Sequence, residues 1–261
     1  MAYQLQDKIV GIEQLTEDIF KMTVESERIS ETSVPGQFVN IKCCEGTQAL
    51  LRRPISICSV DRKAGTYELL FQRKGNGTEL LACKSSGDTL DVLGPLGNGF
   101  DLDIRYRRIV VIGGGIGIFP LLFVLHESKS VIKRAYLGFR TKELVVLENE
   151  FRTHSITLDI ATDDGSYGER GFVTDILARD LTGEKIDMIY ACGPTGMLKN
   201  VVKLAHETET ACQISLEQRM GCGFGTCLVC ACKTHANEGG WQYSHVCKDG
   251  PIFNSRDVIF E

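Results

Sequence analysis

Four cysteines near the end of this chain have the spacing of ligands to iron. Cys222-Gly-Phe-Gly-Thr-Cys227-Leu-Val-Cys230 is followed, after sixteen further residues, by Cys247. C-x4-C-x2-C with a distant fourth thiol is the arrangement found round a plant-type [2Fe–2S] cluster. Two irons bridged by two sulfides take four thiolates, and a short loop supplies three of them only if its backbone wraps tightly. Gly221, Gly223 and Gly225 allow this, since residues without a Cβ reach positive φ and let amides approach sulfur. A zinc site would favour paired C-x2-C knuckles, and only one x2 spacing occurs here; buried free thiols would need no fixed spacing. The chemistry this loop suggests is one-electron transfer. Cys232, a fifth thiol, falls outside the tight loop by its spacing.

A second group of residues suits a dinucleotide. Gly113-Gly114-Gly115-Ile116-Gly117 follows the apolar run Arg108-Ile-Val-Val-Ile112 and precedes a helix-forming stretch. Glycines there bring backbone amides against a pyrophosphate, and the helix N-terminus adds roughly half a positive charge. Such turns also occur for packing alone. Cys192-Gly193-Pro194, ending another apolar run, adds meaning, because in an open parallel sheet both turns face the ligand crevice. Taken alone, Cys192 reads as a small buried residue; in that crevice it becomes a candidate for contact with a nicotinamide or flavin. The acidic residue that usually holds a ribose is missing, and the second strand ends Gly138-Phe-Arg140-Thr-Lys142 instead. Arg140 and Lys142 could meet a 2′-phosphate, so residues alone leave NAD and NADP open.

A third group lies nearer the N-terminus. In Arg52-Arg53-Pro54-Ile55-Ser56 an arginine beside a rigid proline can fix a diphosphate, and a serine on a strand can hydrogen-bond a flavin ring. Gly75-Asn76-Gly77-Thr78 at a helix start would again cradle phosphate. Without context these are a surface arginine and a hairpin turn.

These residues need positioning elements. Residues 1–101 read as short β-branched or aromatic strands, such as 37–41 and 66–71, with one helix over 77–84 capped by Thr78 with Leu80 and Leu81 inward. That pattern predicts an antiparallel β-barrel. Over 102–216, strands at 108–112, 135–138, 156–161 and 188–191 alternate with helices, one of them over 120–126. The alternation predicts an α/β doubly wound parallel sheet closed by a strand over 212–216. Residues 217–261 remain as a small C-terminal [2Fe–2S] segment.

The 261 residues, 43% of them hydrophobic and 24% charged, describe an ordinary globular chain. Net charge is −5, from 29 basic and 34 acidic residues, which argues against a general nucleic-acid binder. No secretory signal is expected, since Asp7 and Lys8 interrupt the only place for one. No membrane span is expected either: the longest uncharged stretch, 109–125, is short and broken by glycines and Pro120. Eleven cysteines in a chain of this length, five of them in the last forty residues, suit a reducing cytoplasm with a metal site better than a disulfide framework. Cys43, Cys44, Cys58, Cys83 and Cys212 are expected to pack as small hydrophobes.

Taken together, the Arg-Pro-x-Ser strand, the Gly-x-Gly-Thr helix start, the glycine-rich turn and the Cys-Gly-Pro edge resemble the ferredoxin–NADP reductase superfamily. Arg219-Met-Gly-Cys222-Gly-Phe-Gly-Thr-Cys227 and His245-Val-Cys247-Lys-Asp-Gly-Pro251 resemble more narrowly the electron-transfer subunits of dihydroorotate dehydrogenase B, as do Gly138–Lys142 and Thr162–Gly168. The resemblance covers the whole length in order. It implies FAD on the barrel and NAD on the α/β domain, with NAD(H) preferred over NADP(H). It implies Arg53, Pro54, Ile55 and Ser56 as the first FAD segment, Leu70, Phe71 and Gln72 as the strand beside the flavin, and Gly77 with Thr78 as the diphosphate turn. Gly113, Gly114, Gly115, Gly117, Cys192, Gly193 and Pro194 would bind NAD, and Cys222, Cys227, Cys230 and Cys247 the cluster. Many members carry Tyr where Ile55 stands and Tyr-Arg where Phe71-Gln72 stands. The implied partner is an FMN-containing catalytic subunit that oxidises dihydroorotate to orotate in pyrimidine synthesis, two copies of each chain forming a heterotetramer. Its electrons would cross the cluster to FAD and leave as hydride to NAD⁺. A flavin, able to exchange electrons singly or in pairs, must stand between cluster and nicotinamide. Rival readings are the FAD/[2Fe–2S] subunit of an NADH-dependent ferredoxin–NADP oxidoreductase or of a sulfhydrogenase, and, from another class, a flavin and cluster redox sensor.

Overall fold

The computed structural model describes residues 2–236 and 238–260. The N-terminal runs form β1 (Tyr3–Gln14), β2 (Ile19–Glu25), α1 (Glu27–Thr32), β3 (Phe38–Lys42), β4 (Arg53–Asp61), β5 (Thr66–Gln72), α2 (Asn76–Ala82) and β6 (Thr89–Leu96). The six strands close into an antiparallel barrel in the order β1-β2-β5-β4-β3-β6. Closure leaves no strand edge to pair with another chain. Ile9, Met22, Val24, Ile41, Ile57, Tyr67, Leu69 and Val92 are all at most 1% exposed and make its core. Of the expected helix, Leu81 is fully buried and Leu80 only half-buried. Gly75, not Thr78, is its N-cap. Thr78 lies inside the first turn, where its hydroxyl accepts from the N–H groups of Lys74 and Gly75 at 3.0 and 3.2 Å.

The following chain alternates strand and helix: β7 (Arg108–Gly114), α3 (Phe119–Glu127), β8 (Ile132–Phe139), α4 (Glu148–His154), β9 (Thr157–Thr162), β10 (Glu169–Arg170), α5 (Val173–Leu181), β11 (Met188–Cys192), α6 (Thr195–Glu207) and β12 (Cys212–Ser215). Then come β13 (Ala231–His235) and β14 (Trp241–His245), which pair as a hairpin, and β15 (Ile252–Asn254). The large sheet runs β10-β9-β8-β7-β11-β12-β15. Strands β7, β8, β9, β11 and β12 are mutually parallel. Helices α3 and α4 pack together, as do α5 and α6, and each pair covers the sheet. This is a doubly wound sheet whose strand order reverses between β7 and β11, the switch point at which such sheets hold ligands.

The strand expected over 212–216 does not end that sheet. After the cluster loop the chain returns, and β15 adds antiparallel to β12, pairing Ile214 with Phe253. The contacts group the chain into two compact units: one takes residues up to Gly99 with Glu217–Cys232 and Tyr243–Pro251, the other Phe100–Leu216 with Lys233–Gln242 and the chain from Ile252 onward. Residues 217–261, one segment in the sequence, are thus divided between both.

Candidate functional site

In the barrel unit the four spaced thiols fall into two pairs. The sulfurs of Cys230 and Cys247 are 3.2 Å apart, far beyond the ~2.05 Å of a disulfide. Cys222 and Cys227 are tied reciprocally: the N–H of Cys222 donates to Cys227 Sγ at 3.3 Å, and that of Cys227 to Cys222 Sγ at 3.4 Å. Among the described residues, no three His, Cys, Asp or Glu side chains gather as a single ion would need. A binuclear cluster asks instead for two thiolates at each iron, and two pairs is what this loop provides.

Backbone amides supply the rest of the cradle. Phe224 and Thr226 donate to Cys222 Sγ at 3.4 and 3.3 Å, Gly225 to Cys247 Sγ at 3.1 Å, and Cys247 to Cys230 Sγ at 3.4 Å. Burial pushes the Cys222 thiol up, but amides from Cys227, Phe224 and Thr226 outweigh it and bring the group down to about 6. Cys247 is pushed up to about 12, by burial first and then by the neighbouring Cys230. Two irons would supply positive charge here and hold all four as thiolates. Gly223 and Gly225 have φ of +83° and +89°, as the wrapping requires. Gly221 does not share that conformation: a Cβ there would lie 3.1 Å from Cys227 Sγ, so its need is close approach. Leu228, between the second and third cysteines, is left-handed at φ +60°, a cost of roughly 1–2 kcal/mol that the loop bears.

Two asparagines anchor this loop to the barrel, and the sequence reading missed both. Asn40, 1% exposed on β3, donates from Nδ2 to the Cys222 carbonyl at 3.0 Å. Asn98 holds the other end: its N–H donates to Gly250 O at 2.6 Å, and its Nδ2 to Asp249 O at 2.9 Å. The signal for Asn40 was its polarity within the apolar run Phe38-Val-Asn-Ile41; Asn98, between two glycines, carries no such signal. Cys43, Cys58 and Cys212 are buried as expected, but Cys44 is half-buried and Cys83 exposed, because the α2 C-cap it occupies faces solvent. None of the eleven cysteines is in a disulfide.

On the same unit, Arg53 to Ser56 begin β4 as four successive half-exposed residues, while Ile57 and Cys58 beyond them are buried. The run forms a shelf. Arg53 donates to Leu51 O at 2.6 Å, and its guanidinium packs where a Cβ on Gly77 would sit. The fold thus joins two motifs separate in sequence and explains the glycine. Leu70 and Phe71 on β5 are buried, Phe71 stacking on Phe20 with ring centroids 5.8 Å apart, and Gln72 is half-exposed.

In the α/β unit the glycine-rich turn is tighter than a loop. Gly113 and Gly114 complete β7, and Gly115–Ile118 forms a 3-10 turn into α3. Only Gly115, at φ +54°, is left-handed. Cys192 aligns with Gly113 across the β7–β11 pair, so both turns stand together at the switch point. They interlock: a Cβ on Gly117 would lie 2.6 Å from both Cys192 O and Gly193 Cα, and one on Gly114 2.9 Å from Pro194 Cδ. Cys192 itself is 3% exposed. At the next strand end, Lys142 lies 5.8 Å from the Tyr167 ring centroid and its N–H donates to Ser166 Oγ at 2.8 Å.

Known proteins share this arrangement. Residues 217–259 match the family model for the iron–sulfur cluster binding domain of dihydroorotate dehydrogenase B, and residues 111–203 that for the oxidoreductase NAD-binding domain. The structure titled for flavin-based electron bifurcation by an NADH-dependent reduced ferredoxin–NADP oxidoreductase superposes with a TM-score of 0.85 at 28% identity, covering 99% of this chain and 91% of the other. A Neisseria gonorrhoeae ferredoxin–NADP⁺ reductase shares the fold at a TM-score of 0.67 and 19% identity over 78% of this chain and 91% of its own. Barrel, doubly wound sheet and paired-thiol loop therefore define an iron–sulfur oxidoreductase of the ferredoxin-reductase type. Proteins called dihydroorotate dehydrogenase B (NAD(+)), electron transfer subunit, are 41% identical over 99% of this chain and 100% of the Geobacillus sp. (strain WCH70) protein, and 39% identical over 96% of both chains in Bacillus mycoides (strain KBAB4). This chain belongs to that family of electron transfer subunits, and a catalytic partner subunit is implied. Among the described residues no helix is long and apolar enough to cross a membrane.

Proposed function

We propose that this chain carries electrons from a dihydroorotate-oxidising partner through a [2Fe–2S] cluster and FAD to NAD⁺, in the orotate-forming step of pyrimidine synthesis. The observation that carries the reading is the pairing of four thiols inside a cage of amides, within the same compact unit as the half-exposed β4 shelf. When bound, the cluster supplies single-electron exchange and FAD links it to the two-electron chemistry of the nicotinamide.

Cys222 and Cys227 would hold one iron and Cys230 and Cys247 the other, with the loop amides stabilising charge on their sulfurs. Arg53 neutralises the FAD diphosphate beside Gly77 and Thr78, while Pro54, Ile55 and Ser56 line the flavin and Leu70, Phe71 and Gln72 flank it. Gly113, Gly114, Gly115 and Gly117 admit the NAD pyrophosphate at the switch point, and Cys192, Gly193 and Pro194 face the nicotinamide. The partner carries FMN and the dihydroorotate pocket, two of each chain assemble, and the complex works in the cytoplasm. NAD(H) is preferred over NADP(H).

The test is reconstitution. Purified chain should hold two irons, two acid-labile sulfides and one FAD, and NADH should bleach the flavin. Absence of FAD would overturn the reading, and a higher kcat/KM with NADPH than with NADH would favour instead a subunit like the 28% identical oxidoreductase.

A further inference from the structure

Asn40 Oδ1 is the one buried side-chain oxygen or nitrogen, among the described residues, that has no hydrogen-bond partner. Leaving a buried polar atom unpaired is costly, so a polar residue in an apolar strand needs a reason. Its backbone is clamped from both sides. Asn40 aligns with Pro54 on β4 and with Leu93 on β6, and its carbonyl accepts from Arg52 Nη1 at 3.3 Å. Its side chain points at the thiol loop, where Nδ2 donates to Cys222 O at 3.0 Å. A Cβ on Gly223 would lie 2.5 Å from that same Nδ2. One amide group therefore touches the loop of the first cysteine, while its own peptide is paired to the Arg53–Ser56 shelf.

We infer that Asn40 is a positioning residue that fixes the distance between cluster and flavin. Electron transfer between two centres weakens steeply with their separation, so a loop held to the shelf by a rigid strand sets that rate. Asn98, which is exposed, clamps the Cys247 end instead. Exchange of hydride between FAD and the nicotinamide uses other residues and should not depend on Asn40. The inference rests on the proposed cofactors, and the test separates the two.

The experiment compares wild type with Asn40→Leu, close in volume but without polar atoms, and Asn40→Asp, the same shape without the donor. After rapid mixing of the FAD- and cluster-loaded protein with NADH, flavin bleaching should stay within about twofold of wild type, while cluster reduction slows roughly tenfold in both variants. The electron paramagnetic resonance g-values of the reduced cluster should shift. In protein freed of metal, hydrogen exchange of the amides from Gly223 to Cys227 should accelerate by roughly tenfold, a readout independent of activity. Unchanged cluster reduction, unchanged g-values, or equal slowing of both steps with a lowered Tm would overturn the inference. So would loss of the cluster from both variants, which would make Asn40 a residue for retaining iron only. A wild-type protein that lacked FAD-to-cluster transfer would overturn the function as well.

Discussion

Cys230 and Cys247 share a sulfur contact of 3.2 Å, whereas Cys232 stands on β13 with its thiol pushed up to about 11, by burial first and then by Cys230. Gly225 N–H also donates to Cys247 Sγ at 3.1 Å, which places that thiol inside the amide cage. Cys232→Ser should therefore keep two irons per chain, and Cys247→Ser should lose them, as iron and sulfide analysis would measure. The reverse result would reassign the fourth ligand. A second residue-scale outcome concerns Asp7, 6% exposed within the barrel, which accepts from the Tyr67 hydroxyl at 3.2 Å. Burial raises its carboxyl above 3.8, against opposing hydrogen bonds from Ser26 and Tyr67. A carboxyl raised on folding binds more protons folded than unfolded, so it takes stability away as pH climbs from about 4 through that raised value. Asp7→Asn keeps the shape and an acceptor. Its Tm should exceed wild type by roughly 2–4 °C at pH 7 and converge with it near pH 4. A lower Tm at pH 7 would mean that the charged form is wanted.

The interlock of two turns at the switch point belongs to the scale of elements. Gly117→Ala places a methyl 2.6 Å from the backbone of Cys192 and Gly193, atoms fixed by β11. Relief means parting the two turns, and overpacking of that kind costs about 1–3 kcal/mol. NADH-dependent flavin reduction should fall roughly tenfold or more, given 1.4 kcal/mol per decade, while the cluster spectrum persists because it belongs to the other unit. Retained NADH affinity would show that the turn serves packing alone. The strand-to-helix alternation that makes this sheet was legible from its apolar runs, since parallel strands buried on both faces read as continuous Val-Ile segments. The barrel was legible as a class from short strands and turns. The return of the chain as β15 was not: three residues carry too little periodicity to mark a strand, and its pairing with β12 is long-range. Thr78 was misread because a hydroxyl inside the first turn closes it as effectively as a cap. The four candidate cluster thiols could be picked out by spacing alone, but Asn40 and Asn98 could not, since their partners are carbonyls more than 150 residues away in sequence.

At the scale of the whole molecule, the thiol loop presents apolar surface that its own unit does not cover. Phe224, Leu228, Val229 and Tyr243 are 52%, 59%, 58% and 59% exposed, all of them beside cluster cysteines or on the adjoining strand. Apolar side chains gathered at the rim of a redox site mark an interaction surface, and a centre that trades electrons with another subunit must lie near it. The chain alone should pass electrons from NADH to an artificial acceptor yet leave dihydroorotate untouched; adding the catalytic partner subunit should restore NAD⁺ reduction by dihydroorotate. A Leu228→Asp, Val229→Asp variant places charge in that interface, where an unpaired buried charge costs several kcal/mol. It should keep iron, FAD and NADH-to-acceptor turnover near wild type, but lose association with the partner on gel filtration and lose dihydroorotate-linked NAD⁺ reduction. A variant that still co-elutes with the partner would move the docking surface away from the cluster loop. Dihydroorotate oxidation by the isolated chain would remove the need for a partner altogether.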